Sequence, residues 1–458
     1  MQGRRQPGVK AVAAAAVLLA GSACLTGCTL SSSSSGGSKT ITVAYQEYGD
    51  FTQLNAEMQT VKTEYQAAHP GYTVDLEPIQ ASENDYYTKL TLMNRSGSTA
   101  PDVMYEDTFL INSDIQAGYL APIDSYLAKW SDWNEFTPAA KAAAVGADGK
   151  TYGVPMGTDT RALYYNKNLF KQAGLPVPWQ PKTWADVLSA AQQIKAKLPG
   201  VTPINVYSGK GAGEGATMQG LEMLLYGTAD ELYDSSSKQW TPSTPGMLAA
   251  LNFVKTVYTT GLGPDVQDAL NPNFGTTISN QLLPGGKLAI DLDGSWLPSS
   301  WEPGQANPWP AWSSTMGVAP MPTQNGQAPG STSMSGGWVL SVGAHAPDKQ
   351  AAFDFVALAE NKANSLNYDV TAGQIAVRDD VAADPKYTAT NPFISFFTGL
   401  TKVTHYRPAY PVYPQISDQI QVAMESVMTG QSSPTSAMST LEQQVNGIAG
   451  SSNVASGS

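Results

Sequence analysis

Cysteine is nearly absent: the chain of 458 residues holds two, Cys24 and Cys28, and both precede the first periodic segment. The chain beyond Cys28 therefore has neither a disulfide framework nor a thiolate metal site, and has to be held by a packed core. Histidine is as scarce. His69, His345 and His405 stand far apart in unrelated contexts, so neither a histidine-based metal site nor a proton relay is expected. The G-x-S-x-G nucleophile elbow, the Walker phosphate loop and the H-E-x-x-H zinc motif are also missing. Basic residues are outnumbered, 26 against 38 acids, for a formal charge of -12. Nucleic acids and anionic lipids require clustered Lys and Arg, so neither is expected as a partner.

Residues 209–220 are glycine-rich, and Gly211-Ala212-Gly213-Glu214-Gly215-Ala216 echoes a dinucleotide fingerprint in its weaker form. A mobile loop entering a cleft is the better reading, and no cofactor is expected.

The N-terminus carries Arg4, Arg5 and Lys10, then the apolar stretch of residues 11–21, then Leu-Thr-Gly-Cys at 25–28. That is the order of a secretory signal, and the stretch falls short of the roughly 20 apolar residues of a membrane span. The tetrapeptide resembles a bacterial lipobox, which implies a lipoprotein signal over residues 1–28 that is cleaved before Cys28, and acylation of Cys28 as the new N-terminus. The Arg4-Arg5 pair admits twin-arginine export, but the residues after it fit that motif poorly and ordinary secretion is favoured. Residues 29–39 read as a Ser/Gly-rich tether, leaving about 420 residues, enough for two large lobes.

Periodicity gives the elements. Residues 40–46 alternate as a strand, 53–68 place Leu54, Met58, Val61 and Tyr65 on one helical face, and 72–79 alternate again: a β-α-β unit. Residues 183–198 open with Thr183 and Asp186 in capping-box spacing and align Trp184, Val187, Leu188, Ala191, Ile194 and Leu198. A further helix from Asp348 buries Ala352, Phe355, Val356 and Ala359. Strands alternating with amphipathic helices predict an α/β class with mixed, helix-covered sheets. The Ser/Gly/Asn-rich end, residues 448–458, reads as a disordered tail.

The chain resembles the family 1 extracellular solute-binding proteins from about residue 40 to 447. The resemblance is carried by VKTEYQAAHPGYTVDLEPI (61–79), DYYTKL (85–90), APDVMYED (100–107), AGYLAPID (117–124) and YGVP (152–155). It continues through LYYNKNLFKQAGL (163–175), PKTWADVLSAAQQIK (181–195), GKLAIDLDGSW (286–296) and GGWVLSVGAHAPDKQAAFDFVALA (336–359). Each segment is weak alone, and their shared order after a lipobox is the signal. The resemblance implies a two-lobed periplasmic-binding-protein fold of the Venus-flytrap kind, type II-like, with hinge crossings and an interlobe cleft. It places 40–155 and 338–410 in the N-lobe, and 156–337 and 411–447 in the C-lobe.

A sugar offers hydroxyls that need charged or amide partners and C–H faces that pack on rings. With ten Trp and 21 Tyr in the chain, acids beside aromatics in loops are the candidates. By resemblance, Asp159 falls where the family places a cleft carboxylate, with Arg161 as neighbour, and Trp296 matches the family's stacking aromatic; the alternative for Trp296 is a buried core tryptophan. Trp338, after two glycines at a lobe crossing, divides between site and hinge packing. Glu106 and Asp107 end a predicted strand, and Glu47, Tyr48, Glu83 and Glu214 complete the set, with plain solvated acids as the bland alternative. Asp159→Asn is expected to weaken binding while the fold barely notices.

The resemblance implies a non-catalytic carbohydrate binder, monomeric, lipid-anchored on the outer face of the cytoplasmic membrane, that delivers its ligand to ABC permease subunits. A secreted carbohydrate-active hydrolase with paired carboxylates, and the same fold binding a phosphorylated polyol, remain the alternatives.

Overall fold

The computed structural model describes residues 39–49 and 51–455; the signal, Cys28 and most of the tether lie outside them. The β-α-β reading holds. Strand Lys39–Glu47 runs parallel to Tyr72–Gln80, with Ile41 opposite Val74, and the helix Gln53–Ala68 between them buries Leu54, Met58, Val61 and Tyr65. Burying each such side chain contributes about 1.5–3 kcal/mol, and truncating fully buried Met58 to Ala would cost about 2–5 kcal/mol. The first sheet has the order Tyr72–Gln80, Lys39–Glu47, Val103–Asp107, Gly337–Val342, Gly153–Thr158. Its fourth strand arrives from far down the chain and is antiparallel to both neighbours, with Leu340 opposite Tyr105 on one side and Val154 on the other. Helix Lys349–Ala359, capped by the Asp348 carboxylate accepting from Ala351 N at 3.1 Å, buries Ala352, Phe355, Val356 and Ala359 against this sheet's core.

The second sheet has the order Met316–Ala319, Arg161–Asn166, Leu288–Gly294, Thr202–Asn205. Along Arg161–Asn166 the period of two separates two cores. Leu163 and Tyr165 join Trp184, Val187 and Ile194, whereas Ala162 and Tyr164 join Trp301, Trp312 and Phe397. Helix Trp184–Lys197 forms with its capping box complete, as Thr183 and Asp186 predict. Leu188 and Leu198 are only partly buried at its edge.

Between the sheets the chain crosses at Asp159–Thr160, directly after strand Gly153–Thr158, and again at Gly336, between Ser331–Ser335 and Gly337–Val342. Strand Ser331–Ser335 also pairs with Met321–Pro322 and with Thr404–Tyr406 in a small third sheet.

Two boundaries differ from the sequence reading. The stretch 338–410 is divided: Tyr387, Ile394, Phe397 and Leu400 pack with Tyr164 of the second sheet and with Trp301 and Trp312 beside it, not with the first sheet's core. An amphipathic pattern shows which face of a helix is buried but not against which sheet. The end of the chain is also ordered through residue 455. Helix Pro434–Ala449 docks Ala437, Leu441 and Val445 in the second lobe's core, and Val454 bridges to Trp240 with Ala455 N donating to Trp240 O at 2.8 Å. Small polar residues masked one apolar anchor. No helix among the described residues is long and apolar enough to cross a membrane.

Candidate ligand-binding cleft

Where the two lobes face one another they enclose a cleft of about 410 Å³, within the size range of small-molecule sites. Eight of the ten candidate residues line it: Tyr48, Glu83, Asp107, Asp159, Arg161, Glu214, Trp296 and Trp338. Glu47 and Glu106 do not. Successive strand side chains point to opposite faces, so when Tyr48 and Asp107 face the cleft their neighbours turn away. Glu47 accepts from Gln80 Nε2 at 3.1 Å on the adjacent strand. Glu106 is fully buried on the far side of the sheet beside Asp114, and neither of its oxygens meets a donor. Burial and the Asp114 charge push its carboxyl well up.

At the first crossing, Asp159 and Arg161 form an ion pair, both about 5–6% exposed. Asp159 also accepts from Gly336 N at 2.9 Å, while Arg161 donates to Met334 O at 3.0 Å and Gln219 Oε1 at 3.2 Å. Asp159 thus has a buried counter-ion while it also lines the cleft. The Arg161 guanidinium lies 4.9 Å from the centre of the Trp296 ring. That ring rests on Gly294, where a Cβ would occupy its place. Trp296 is partly exposed to the cleft and therefore not a core tryptophan. Trp338 stacks on Tyr105, ring centres 4.3 Å apart and planes 1° from parallel, and lines the cleft as well. It therefore packs on the first sheet and borders the cleft at once.

Several lining residues were not singled out from sequence. Arg407 donates to Asp107 from one lobe and to Glu214 Oε2 from the other at 3.1 Å, with its guanidinium 4.2 Å from the Phe109 ring centre. Glu214 also accepts from Ser417, and Asp107 from the Tyr87 hydroxyl at 2.9 Å. Burial pushes both carboxyls up while Arg407 opposes the shift. Asp293 accepts from Tyr207 Oη at 3.0 Å and from Gly294 N at 2.7 Å, and burial pushes it up to about 6. Glu83, opening the helix Glu83–Asn94, is pushed up to about 8 by burial, with Asp107 and Glu214 adding repulsion. The glycine loop at 211–215 does enter the cleft.

One signal for Asp293 was available: Asp291 and Asp293 share a face of an otherwise apolar strand, and acids inside a buried strand call for a reason. Arg407 offered only a lone base in the aromatic run THYRPAYP. Among the described residues no group of His, Cys, Asp and Glu is arranged to hold a metal ion.

Such a cleft can surround a small polar molecule, with rings for its apolar faces and charged groups from both lobes for its hydroxyls. Known proteins share the architecture. A solved solute-binding protein of Thermotoga lettingae, bound with α-D-tagatose, superposes with a TM-score of 0.77 over 90% of this chain and all of its own, at 24% identity. A putative binding protein of Brucella abortus is 25% identical over 413 residues, 88% of this chain and 92% of its own. A maltooligosaccharide ABC transporter solute-binding lipoprotein of Streptococcus pneumoniae is 28% identical over 264 residues, 55% of this chain and 54% of its own. The family model for bacterial extracellular solute-binding proteins matches residues 48–365, which span the first crossing, most of the cleft lining and most of both sheets, and the chain belongs to that family.

Proposed function

We propose that this protein captures a carbohydrate in the interlobe cleft and delivers it, unchanged, to the permease subunits of an ABC importer. It works as a monomer tethered through acylated Cys28 outside the cytoplasmic membrane. The observation that carries the reading is the lining of the cleft, where Tyr48, Tyr207, Trp296 and Trp338 stand among carboxylates contributed by both lobes. Rings pack on sugar C–H faces and carboxylates accept hydroxyl hydrogens. A solute touching both lobes favours the closed form by its differential affinity. The relatives named for maltooligosaccharide and bound with tagatose support a sugar ligand. A phosphorylated polyol fits less well, because Arg161 and Arg407 are both already engaged by carboxylates.

Thermal melts and small-angle scattering across mono- and oligosaccharides test this. At least one sugar is expected to raise the melting temperature and compact the protein without being hydrolysed; a flat response throughout, or turnover, defeats it. Intact mass of the membrane-extracted protein tests the anchor, which requires an N-terminus at Cys28 carrying lipid.

A further inference from the structure

The charge balance of the cleft narrows the ligand further. Its described lining carries six carboxylates, Glu83, Asp85, Asp107, Asp159, Glu214 and Asp293, against three cations. Every one of these cations is already paired: Arg161 with Asp159, Arg407 with Asp107 and Glu214, and Lys210 with Asp418. Three of the six are left without an ion pair among the described residues: Asp85, which is exposed, and Glu83 and Asp293, on opposite lobes.

These two acids bracket one corner. The hydroxyl of Tyr207 donates to Asp293 Oδ2 at 3.0 Å, and Tyr48 feels the charge of both Glu83 and Asp293. The two phenols meet over Gly275, where a Cβ would lie 3.5 Å from Tyr48 Oη and 3.6 Å from Tyr207 Oη. The Glu83 carboxyl is half-buried, and burial dominates the forces on it ahead of any charge nearby. Behind Asp293, on the same face of its strand, Asp291 is fully buried and its Oδ2 has no partner. A carboxylate held out of water without a counter-charge is strongly disfavoured, so it either takes up a proton or meets a cation. Neutral hydroxyls supply hydrogen bonds but no charge. An ammonium supplies three donors and a charge, and ring faces attract it. The Trp296 ring already receives one cation, the Arg161 guanidinium.

Resting on the carbohydrate reading above, we propose that the ligand is an amino sugar or aminated polyol whose ammonium sits between Glu83 and Asp293, against the phenols of Tyr48 and Tyr207. The rest of the sugar then occupies the cleft toward Trp296 and Trp338.

Titration calorimetry at pH 7 with matched sets tests this: glucose, glucosamine and N-acetylglucosamine, the galactose counterparts, and their disaccharides. Each free amine is expected to bind at least about tenfold tighter than its neutral parent, and acetylation to remove the gain. Binding of the amine is expected to release a proton, seen as an enthalpy that varies with the buffer's ionisation heat, because the cation ionises Glu83. Glu83→Gln is expected to shrink the amine preference; Asp293→Asn serves the same purpose if Glu83→Gln melts low. Neutral or acetylated sugars that bind as tightly as the amines overturn this proposal and leave the sugar reading standing. If no member binds, both readings fall.

Discussion

Arg161 joins Asp159 to Trp296: one guanidinium is both the counter-ion of the buried carboxylate and the cation 4.9 Å from the ring centre. The expectation that Asp159→Asn would leave the fold untouched has to be revised accordingly. Removing one partner of a buried ion pair strands the other, at a cost of about 3–5 kcal/mol. Chemical unfolding of Asp159→Asn is therefore expected to show a clear loss of stability alongside weaker binding. Unfolding curves identical to the parent's would mean that Arg161 is solvated in solution.

Trp296→Ala has the opposite balance. The ring is partly exposed and faces the cleft, so truncation is expected to cost on the order of 2 kcal/mol of binding and less stability than the roughly 3–5 kcal/mol typical of a core aromatic. Calorimetry and unfolding on the same preparation separate the two. A variant that binds normally but melts far lower would show the ring to be structural.

The buried acids give stability an unusual pH dependence. Burial raises Glu57 to about 7, and Glu83 and Glu222 to about 8. A carboxyl whose folded value lies above its ordinary 4.5 binds its proton more tightly when folded. Its contribution is complete below that ordinary value and is lost as pH rises through the folded value. The ligand-free protein is thus expected to melt a few degrees higher at pH 5 than at pH 8. Surface carboxylates such as Asp148 and Asp234 are held below their ordinary value and titrate outside this window. Glu57 lies away from the cleft, with Oε1 unpartnered and Oε2 accepting from Asn367 at 2.7 Å, so Glu57→Gln should flatten the slope without changing affinity. A parent protein equally stable at both pH values would contradict the assignment.

Truncation after Gly450 removes Val454, which is 5% exposed and packed with Trp240. The loss is expected to be about 1.5–3 kcal/mol, the contribution of one buried valine, and to raise amide exchange around Trp240. A disordered tail would leave both measurements where they were.

The parts legible in the sequence were local ones. Thr183 and Asp186 announced a capping box, and Leu54, Met58, Val61 and Tyr65 a helix face, because the physics involved spans three or four residues. At strand ends the candidates came in adjacent pairs, and alternation kept one of each: Asp107 over Glu106, Tyr48 over Glu47. Sequence alone cannot choose, since the choice depends on which face a distant lobe covers. Arg407 was out of reach for the same reason. Its partners are 193 and 300 positions away, and nothing in its own neighbourhood records them. The spacing of Asp159 and Arg161, two residues apart, did not reveal that both would be nearly buried and paired.

The late strand Gly337–Val342 has a consequence for how the molecule is made. It lies between Val103–Asp107 and Gly153–Thr158, so a nascent chain that stops before residue 337 has those two strands with nothing between them. The first lobe gains its finished sheet only after residue 342 of 458 has left the ribosome, and pairing over such sequence distances is slow. Through three quarters of its length the growing chain therefore lacks the strand that joins the two halves of its first sheet.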